Sequence, residues 1–588
     1  MDALQRPQQA GPAGTSAPGY RTIPEFFRTC LPRHAAKVGL TCALPNGMTA
    51  SLTWGDLDRW SDAVAAWLRE ELKLPPGSMV AIQAPNSLAF PVVCIGVMKA
   101  GLVPTAVNPL YTEREMASQL SASGARALFV LDALAGKLPG VLAKTGAMPV
   151  VRLSVSDFFP PAKAALINLV ARHVKRLVPA FPVPHIPLRQ VLTAGEAHAR
   201  RLGRKGIAAY ADGIGPDDMV TCWFTGGTTG RSKGVVTTHR GLLASLTQIQ
   251  GTLNGPWTDA PMRTLLILPF YHIFGIGMLL QAADLGGHVI LIPNPRPLTN
   301  LKAAVETFRP TYLPGVPTLF ANLLNEPWFV AAAKDSLKLC LSGAAPLAPA
   351  TQKRWMETFG QPIYELYGMT ECGLASCTPL DGRDHTGTIG RILPSLESRI
   401  VDLQGGDVPD GEPGELILRG PQVMQGYWQQ PAETAGALRD GWLHTGDVVV
   451  RDPDGTLRIV DRRKDMILVS GFNVYPSEIE AVITEHPGVT ECAAIGIPDG
   501  QTGETVKVFV VARDPALTVD ALRRHCRETL TGYKVPKQIE IVPELPKSPV
   551  GKILKRELRL RDQETGSPAG SASSGSDRPG SDPGRSAA

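Results

Sequence analysis

The chain has 588 residues and a mass of 62.8 kDa, with 44% hydrophobic and 19% charged residues, which describes a globular protein with ample core, long enough for two or three domains. A net charge of +5 is too slight to argue for a nucleic-acid partner. Nine scattered cysteines without a C-x-x-C pair read as reduced thiols of a cytoplasmic protein, which speaks against a disulfide framework and a zinc site.

The first twenty residues, "MDALQRPQQAGPAGTSAPGY", lack the apolar core of a secretory signal and read as a loose tail. The segment "LTWGDLDRWSDAVAAWL" then places Leu57, Trp60, Val64 and Trp67 on one helical face, with Thr53 as its cap. A buried strand is expected at "SMVAIQAP" and a helix through "FPVVCIGVMKAG". Alternation of β-branched runs with amphipathic helices continues to about residue 420 and predicts an α/β protein of layered sheets and helices. Residues 160–181, "PPAKAALINLVARHVKRLVPAF", set Leu166, Val170, Val174 and Leu177 against Lys163, Arg172, Lys175 and Arg176. That pattern fits a helix lying on a membrane surface and equally a packed helix with a solvated face.

The stretch "FTGGTTGRSKGVVTTH", 224–239, packs four glycines and five threonines around Lys233. It fails the Walker pattern on both sides of the lysine: Ser232 precedes Lys233 and Gly234 follows. The flanks "MVTCWF" and "GVVTT" favour strands rather than the opening of a helix. A glycine loop between two strands can cradle phosphate oxygens with backbone N–H groups, hydroxyls and one ammonium. Further on, "TLLILPFYHIFGIGMLLQAA", 264–283, carries no formal charge over twenty residues, yet Pro269, His272, Gly275 and Gly277 interrupt it. A strand, a turn and a buried helix are expected there rather than a membrane span.

At "DRRKD", 461–465, the character changes, and about 100 residues follow with the order helix, strand, strand, helix in "SEIEAVITEH", "ECAAIGIPD", "VKVFVVARD" and "VDALRRHCRETL". The expected organisation is a tail over 1–21, a large N-terminal domain over 22–461, a small α+β domain over 465–562 joined by a hinge, and a disordered Ser/Gly/Pro tail over 563–588.

Six motifs stand in order with the phosphate loop: "LPFYHIFG", "LSGAAPL", "ELYGMTEC", "GWLHTGD", "DRRKDMILVSGFNVYPSEIE" and "PKSPVGKILKREL". In this order they resemble the acyl-adenylate-forming ligases, and most of all bacterial long-chain fatty acyl-CoA synthetases. The resemblance runs from about Ile23 to Leu560. It implies ATP-dependent activation of a fatty acid to acyl-adenylate and transfer to CoA, with Mg2+ as the metal.

By resemblance, Thr225, Gly226, Gly227, Thr228, Thr229, Gly230 and Lys233 hold the phosphates. The Thr-Gly-Gly opening, where much of the family has a serine in place of Gly226, is typical of the long-chain branch. Gly343, Ala344 and Ala345, with Glu365, Leu366, Tyr367 and Gly368, surround adenine, on which Tyr367 stacks. Thr370 contacts phosphate and Glu371 holds the metal. Asp447 accepts from the ribose hydroxyls with Arg462 assisting. His272 stands beside the substrate carboxylate, with a satisfied core histidine as the rival reading. Lys552 reaches the carboxylate and α-phosphate, Lys464 is the hinge, and Ser470, Gly471, Phe472 and Asn473 face CoA.

The acyl pocket is expected near 275–281 and 316–320. The alternatives are a fatty acyl-AMP ligase that loads a carrier protein, a medium-chain or aryl acid CoA ligase, and a non-catalytic lipid-binding descendant. A homodimer and a peripheral seat on the inner face of the cell membrane stay open.

Overall fold

The structure is a computed structural model that describes residues 19–225, 232–253, 261–470, 472–547 and 553–566. The expectations for 1–18, for the phosphate-loop residues 226–230, for Gly471, for Lys552 and for 567–588 therefore lie outside the described residues. Two compact units are present: 19–464, and 465–547 with 553–566.

In the large unit, five short parallel strands run in the order Val103–Ala106, Met79–Gln83, Leu128–Leu131, Val150–Leu153 and Ile186–Pro187. A second sheet of nine strands has a parallel centre of Ile363–Met369, Leu339–Gly343, Tyr312–Gly315, Arg263–Leu266, His288–Leu291 and Val38–Ala43, with antiparallel strands at both edges. Near-continuous apolar runs such as "MVAI" and "HVIL" suit parallel strands covered on both faces. Helices Trp54–Ala66, Ala89–Lys99 and Ile273–Leu285 join one apolar cluster that draws Ile82 and Phe129 from the first sheet and Leu266 and Leu341 from the second.

The expected cap at Thr53 is a full capping box. Its hydroxyl accepts from the Asp56 N–H at 3.0 Å, and the Asp56 carboxylate accepts from the Thr53 N–H at 3.0 Å. The uncharged run 264–283 resolves, as expected, into strand Arg263–Leu266, a turn and helix Ile273–Leu285. Among the described residues no helix is long and apolar enough to cross a membrane.

Two smaller sheets complete the unit. Strands Met219–Thr225 and Lys233–Thr238 form the hairpin anticipated around the phosphate loop, and Gly426–Tyr427 adds to its edge. The other sheet is antiparallel and contains Glu397–Val401, Gly414–Arg419, Trp442–Arg451 and Leu457–Arg462.

The small unit is built on the long hairpin of Val489–Asp499 and Gly503–Ala512. Alternation along the second strand sends Val506, Val508 and Val510 to one face, beneath helices Pro476–Glu485 and Val519–Thr529. Phe509 faces the other side with Leu558 of helix Lys555–Gly566. That helix continues through residues 563–566, which the composition had placed in the tail.

One buried polar cluster fixes helices Trp54–Ala66 and Ala89–Lys99 to each other. The Lys99 ammonium, 1% exposed, donates to the Asp58 carboxylate at 2.5 Å and to Asp62 at 2.8 Å, while Arg204 reaches Asp58 at 3.0 Å. Removing one member of such a set strands the opposite charge. Lys99→Met is expected to destabilise the protein by about 3–5 kcal/mol, read as a lower denaturant midpoint; an unchanged midpoint refutes this account of the cluster.

Candidate nucleotide and acyl-adenylate site

The ends of three sheets converge on one connected set of side chains. Strand pairing aligns Thr225 with Lys233 across the hairpin, and the Ser232 hydroxyl donates to the Thr225 carbonyl at 3.1 Å. The Lys233 ammonium forms an ion pair with Glu433, in helix Pro431–Ala437, and lies 4.9 Å from the ring centroid of Tyr427. The Tyr427 hydroxyl donates to Glu371 at 2.9 Å.

Glu371 sits in the turn between strands Ile363–Met369 and Gly373–Cys377 and is 8% exposed. Burial raises its pKa, against the hydrogen bond from Tyr427 and the nearby charges of Lys233 and Arg462. The turn can be this tight because residue 368 is glycine: a β-carbon there would lie 2.2 Å from the carbonyl oxygen of Gly373.

Four residues before Glu371, the Tyr367 hydroxyl donates to Asp447 at 2.7 Å. The other Asp447 oxygen is 3.1 Å from Arg462 Nε, its cross-strand partner. The resemblance implies the pairing of Asp447 with Arg462 but only a stacking role for Tyr367. The structure adds that Tyr367 orients Asp447 and that its ring is packed among Val235, Ala375 and Leu416.

The parallel pairing of Leu339–Gly343 with Ile363–Met369 brings Ser342 beside Glu365 and Gly343 beside Leu366. Beyond Gly343 the chain turns through Ala344 in the left-handed region, φ +72°. A non-glycine residue there costs of order 1 kcal/mol and persists only where its surroundings hold it. Part of the hold comes from Glu365, whose carboxyl accepts from the Leu347 N–H at 3.1 Å. Burial pushes the Glu365 carboxyl up to about 7.

His272 immediately precedes helix Ile273–Leu285, at its N-cap position. Its surface is accessible, yet protein crowds it on most sides, and the resulting desolvation lowers its pKa. The turn it occupies adjoins the Gly343 wall, since a β-carbon at Gly343 would lie 3.6 Å from the Phe274 ring. Gly275 lets this turn close: a β-carbon there would lie 2.8 Å from the Pro269 carbonyl oxygen. Asn86, 3% exposed and absent from the sequence reading, clamps the same segment. Its amide donates to the Leu266 and Leu268 carbonyls at 3.1 and 3.0 Å and accepts from the Phe270 N–H at 2.9 Å.

In the small unit Ser470 adopts φ +52°, and Phe472 stacks on Tyr533 with ring centroids 4.8 Å apart. Asn473 belongs to strand Phe472–Val474. Lys464 is the last residue of the large unit.

The donor set suits magnesium. Among the described residues no group of three or more His, Cys, Asp or Glu could hold a metal, whereas a hard cation bound with nucleotide needs only one or two carboxylates plus phosphate oxygens. Glu371, with the Thr370 hydroxyl beside it in the chain, fits that need.

Residues 29–428 match the family described as AMP-binding enzyme, and residues 478–552 match the AMP-binding enzyme C-terminal domain. The chain belongs to the AMP-binding enzymes. It is 44% identical over 553 residues to the long-chain-fatty-acid--CoA ligase of Salmonella typhimurium, spanning 93% of this chain and 96% of that protein. The enzyme of the same name from Bacillus subtilis is 35% identical, over 84% of this chain and 86% of its own. Among solved structures, ATP-bound MatB from Rhodopseudomonas palustris superposes with a TM-score of 0.77 at 28% identity, over 92% of this chain and 99% of that one.

The raised pKa of Glu365 has a measurable consequence. The folded state holds this proton above the ordinary carboxyl range, so stability falls as pH rises from 4.5 to about 7 and is level beyond. Glu365→Gln is expected to remove on the order of 2 kcal/mol of that fall. Denaturant midpoints of both proteins at pH 5 and pH 7.5 check this; identical pH slopes refute it.

Proposed function

We propose that this protein is a long-chain fatty acid–CoA ligase that works through an acyl-adenylate. The observation that carries the reading is identity of 42–44% over nearly the whole chain with relatives of that name. A linked set of nucleotide-holding side chains agrees with it.

In the first half-reaction a fatty carboxylate oxygen attacks the α-phosphorus of ATP. The bond from that phosphorus to the β-phosphate bridging oxygen breaks, and pyrophosphate leaves. In the second, the sulfur of CoA, having lost its proton, attacks the acyl carbonyl carbon and AMP departs with the bonding pair. Both steps gather anions, so positioning and placed cations do most of the work. Lys233, Thr225 and the glycines and threonines of 226–230 hold the phosphates, and Thr370 assists. Bound at Glu371, magnesium would neutralise and orient phosphate oxygens. Tyr367 and the Gly343–Ala345 wall receive adenine, Asp447 with Arg462 receives ribose, and His272 faces the carboxylate. Lys552 neutralises charge during adenylation. The small unit then turns about Lys464, and residues 470–473 meet CoA.

Release of AMP and pyrophosphate, followed over a panel of carboxylic acids with and without CoA, tests the reading. Long-chain acids are expected to give both products and thioester. Lys552→Ala is expected to lose adenylation by about a hundredfold while still forming thioester from supplied acyl-adenylate and CoA. Equal loss of both half-reactions refutes the alternating account.

Peripheral membrane contact belongs to the same reading. In helix Pro161–Leu169 and the turn that follows, no residue is buried; Ala164 and Ile167 lean on the core. Leu166, Leu169, Val174 and Leu177 are each more than half exposed beside Arg172, Lys175 and Arg176. Exposed leucines among cations favour an anionic lipid surface, a source of the fatty acid. Each basic residue contributes about 1 kcal/mol at such a surface, so replacing these three by Gln is expected to weaken binding to phosphatidylserine vesicles by roughly a hundredfold. Equal vesicle binding by both proteins leaves the helix as structure only.

A further inference from the structure

Tyr427 was not singled out by any motif, yet it touches both charged groups on which nucleotide binding depends. Its position is set by backbone pairing. Strand Gly426–Tyr427 lies antiparallel to Lys233–Thr238 with Tyr427 opposite Val235, and the Trp428 N–H donates to the Gly234 carbonyl at 2.7 Å. On its far side the Tyr427 N–H donates to the Thr434 hydroxyl at 2.9 Å, which ties the residue to the helix that carries Glu433. The ring is thereby held beneath the Lys233 ammonium, 4.9 Å from its centroid, and the hydroxyl is held 2.9 Å from Glu371.

We infer that Tyr427 is a positioning residue for adenylation, its ring face seating Lys233 for the triphosphate and its hydroxyl fixing the Glu371 carboxylate for the divalent cation. The inference rests on the roles given above to Lys233 and Glu371. Lys233 and Glu371 carry opposite charges, and a direct ion pair between them would cancel the two groups that must meet nucleotide and metal. No such pair exists among the described residues. The lysine pairs instead with Glu433, while Tyr427 touches both groups. The two halves of Tyr427 do separate work and can be removed separately. Loss of the hydroxyl frees the Glu371 rotamer and leaves the ring under the lysine. Loss of the ring removes both supports.

The test uses the full chain and the variants Tyr427→Phe, Tyr427→Leu and Glu371→Ala, each shown by thermal melting to be folded. Mn2+ binding in the presence of ATP is followed by electron paramagnetic resonance, ATP binding without divalent cation by calorimetry, and activity as a function of Mg2+.

Tyr427→Phe is expected to weaken Mn2+ binding by about tenfold, the worth of one hydrogen bond to a charged group. It should raise the Mg2+ needed for half-maximal activity in parallel and leave metal-free ATP affinity unchanged. Tyr427→Leu is expected to weaken metal-free ATP binding as well, by about fivefold, the scale of a cation–ring contact.

If Glu371→Ala weakens Mn2+ binding and Tyr427→Phe does not, the positioning role is refuted. If Tyr427→Leu binds metal-free ATP as tightly as Tyr427→Phe, the seat for Lys233 is refuted. If Glu371→Ala itself leaves Mn2+ binding unchanged, the metal role of Glu371 falls and the inference falls with it, an outcome distinct from the first. The Phe variant removes a single oxygen, so it carries the test even where the Leu variant melts early.

Discussion

A buried charge is tolerated only when it is partnered, and that constraint organises the large unit around its candidate site. Glu371 and Asp447 are each less than a tenth exposed, and each accepts from a tyrosine hydroxyl. Two cations complete the set: Lys233 over one tyrosine ring and Arg462 beside Asp447. The sheets meet here because their strand ends supply these partners. Lys233 comes from the phosphate-loop hairpin, Tyr367 from the nine-stranded sheet, and Asp447 and Arg462 from the antiparallel one. An ATP-dependent ligase needs such an arrangement because its reactants are themselves anions. Preorganised partners hold charge in place before substrate arrives and spare its reorganisation during the reaction.

The same principle acts at a distance from the chemistry. Lys99 with Asp58 and Asp62 locks two helices in the core, and Asn86 uses a neutral amide to the same end at the turn that carries His272. These buried polar groups are satisfied on several sides at once, which is what gives a segment one geometry rather than several.

The readable parts of the fold were those with local causes. The helix over 54–66 showed its apolar face and its cap, and the hairpin around the phosphate loop showed β-branched flanks and failed the Walker pattern. The boundary near 464 was visible as a charge cluster followed by a new helix–strand rhythm. Motif order then carried Glu371, Asp447, Arg462 and Lys233, because each lies inside a short recognisable string. Tyr427, Glu433 and Asn86 were missed for one reason. Their partners lie 56, 200 and about 180 residues away, and neither periodicity nor spacing encodes contacts at such separations. Glu365 lies inside such a string, and the hydrogen bond from the Leu347 N–H to its carboxyl, which braces the loop beyond Ala344, is seen only in the structure. Gly275 stands inside one of these strings, while the close approach to Pro269 that requires a glycine there is visible only in the fold.

The pairing of Lys233 with Glu433 across 200 residues also bears on how the molecule is made. A ribosome adding about 5–20 residues per second lays down the phosphate-loop lysine roughly 10–40 seconds before its carboxylate partner. Through that interval Tyr427 is absent too, and the third strand of the hairpin sheet does not yet exist. Strand Lys233–Thr238 therefore spends its early life as an open edge whose lysine has not yet met Glu433. A lone ammonium on such an edge is an effective guard against strand-to-strand association with other nascent chains. The residue that later pairs with Glu433 beside Tyr427 thus begins as a sentinel on an unfinished sheet.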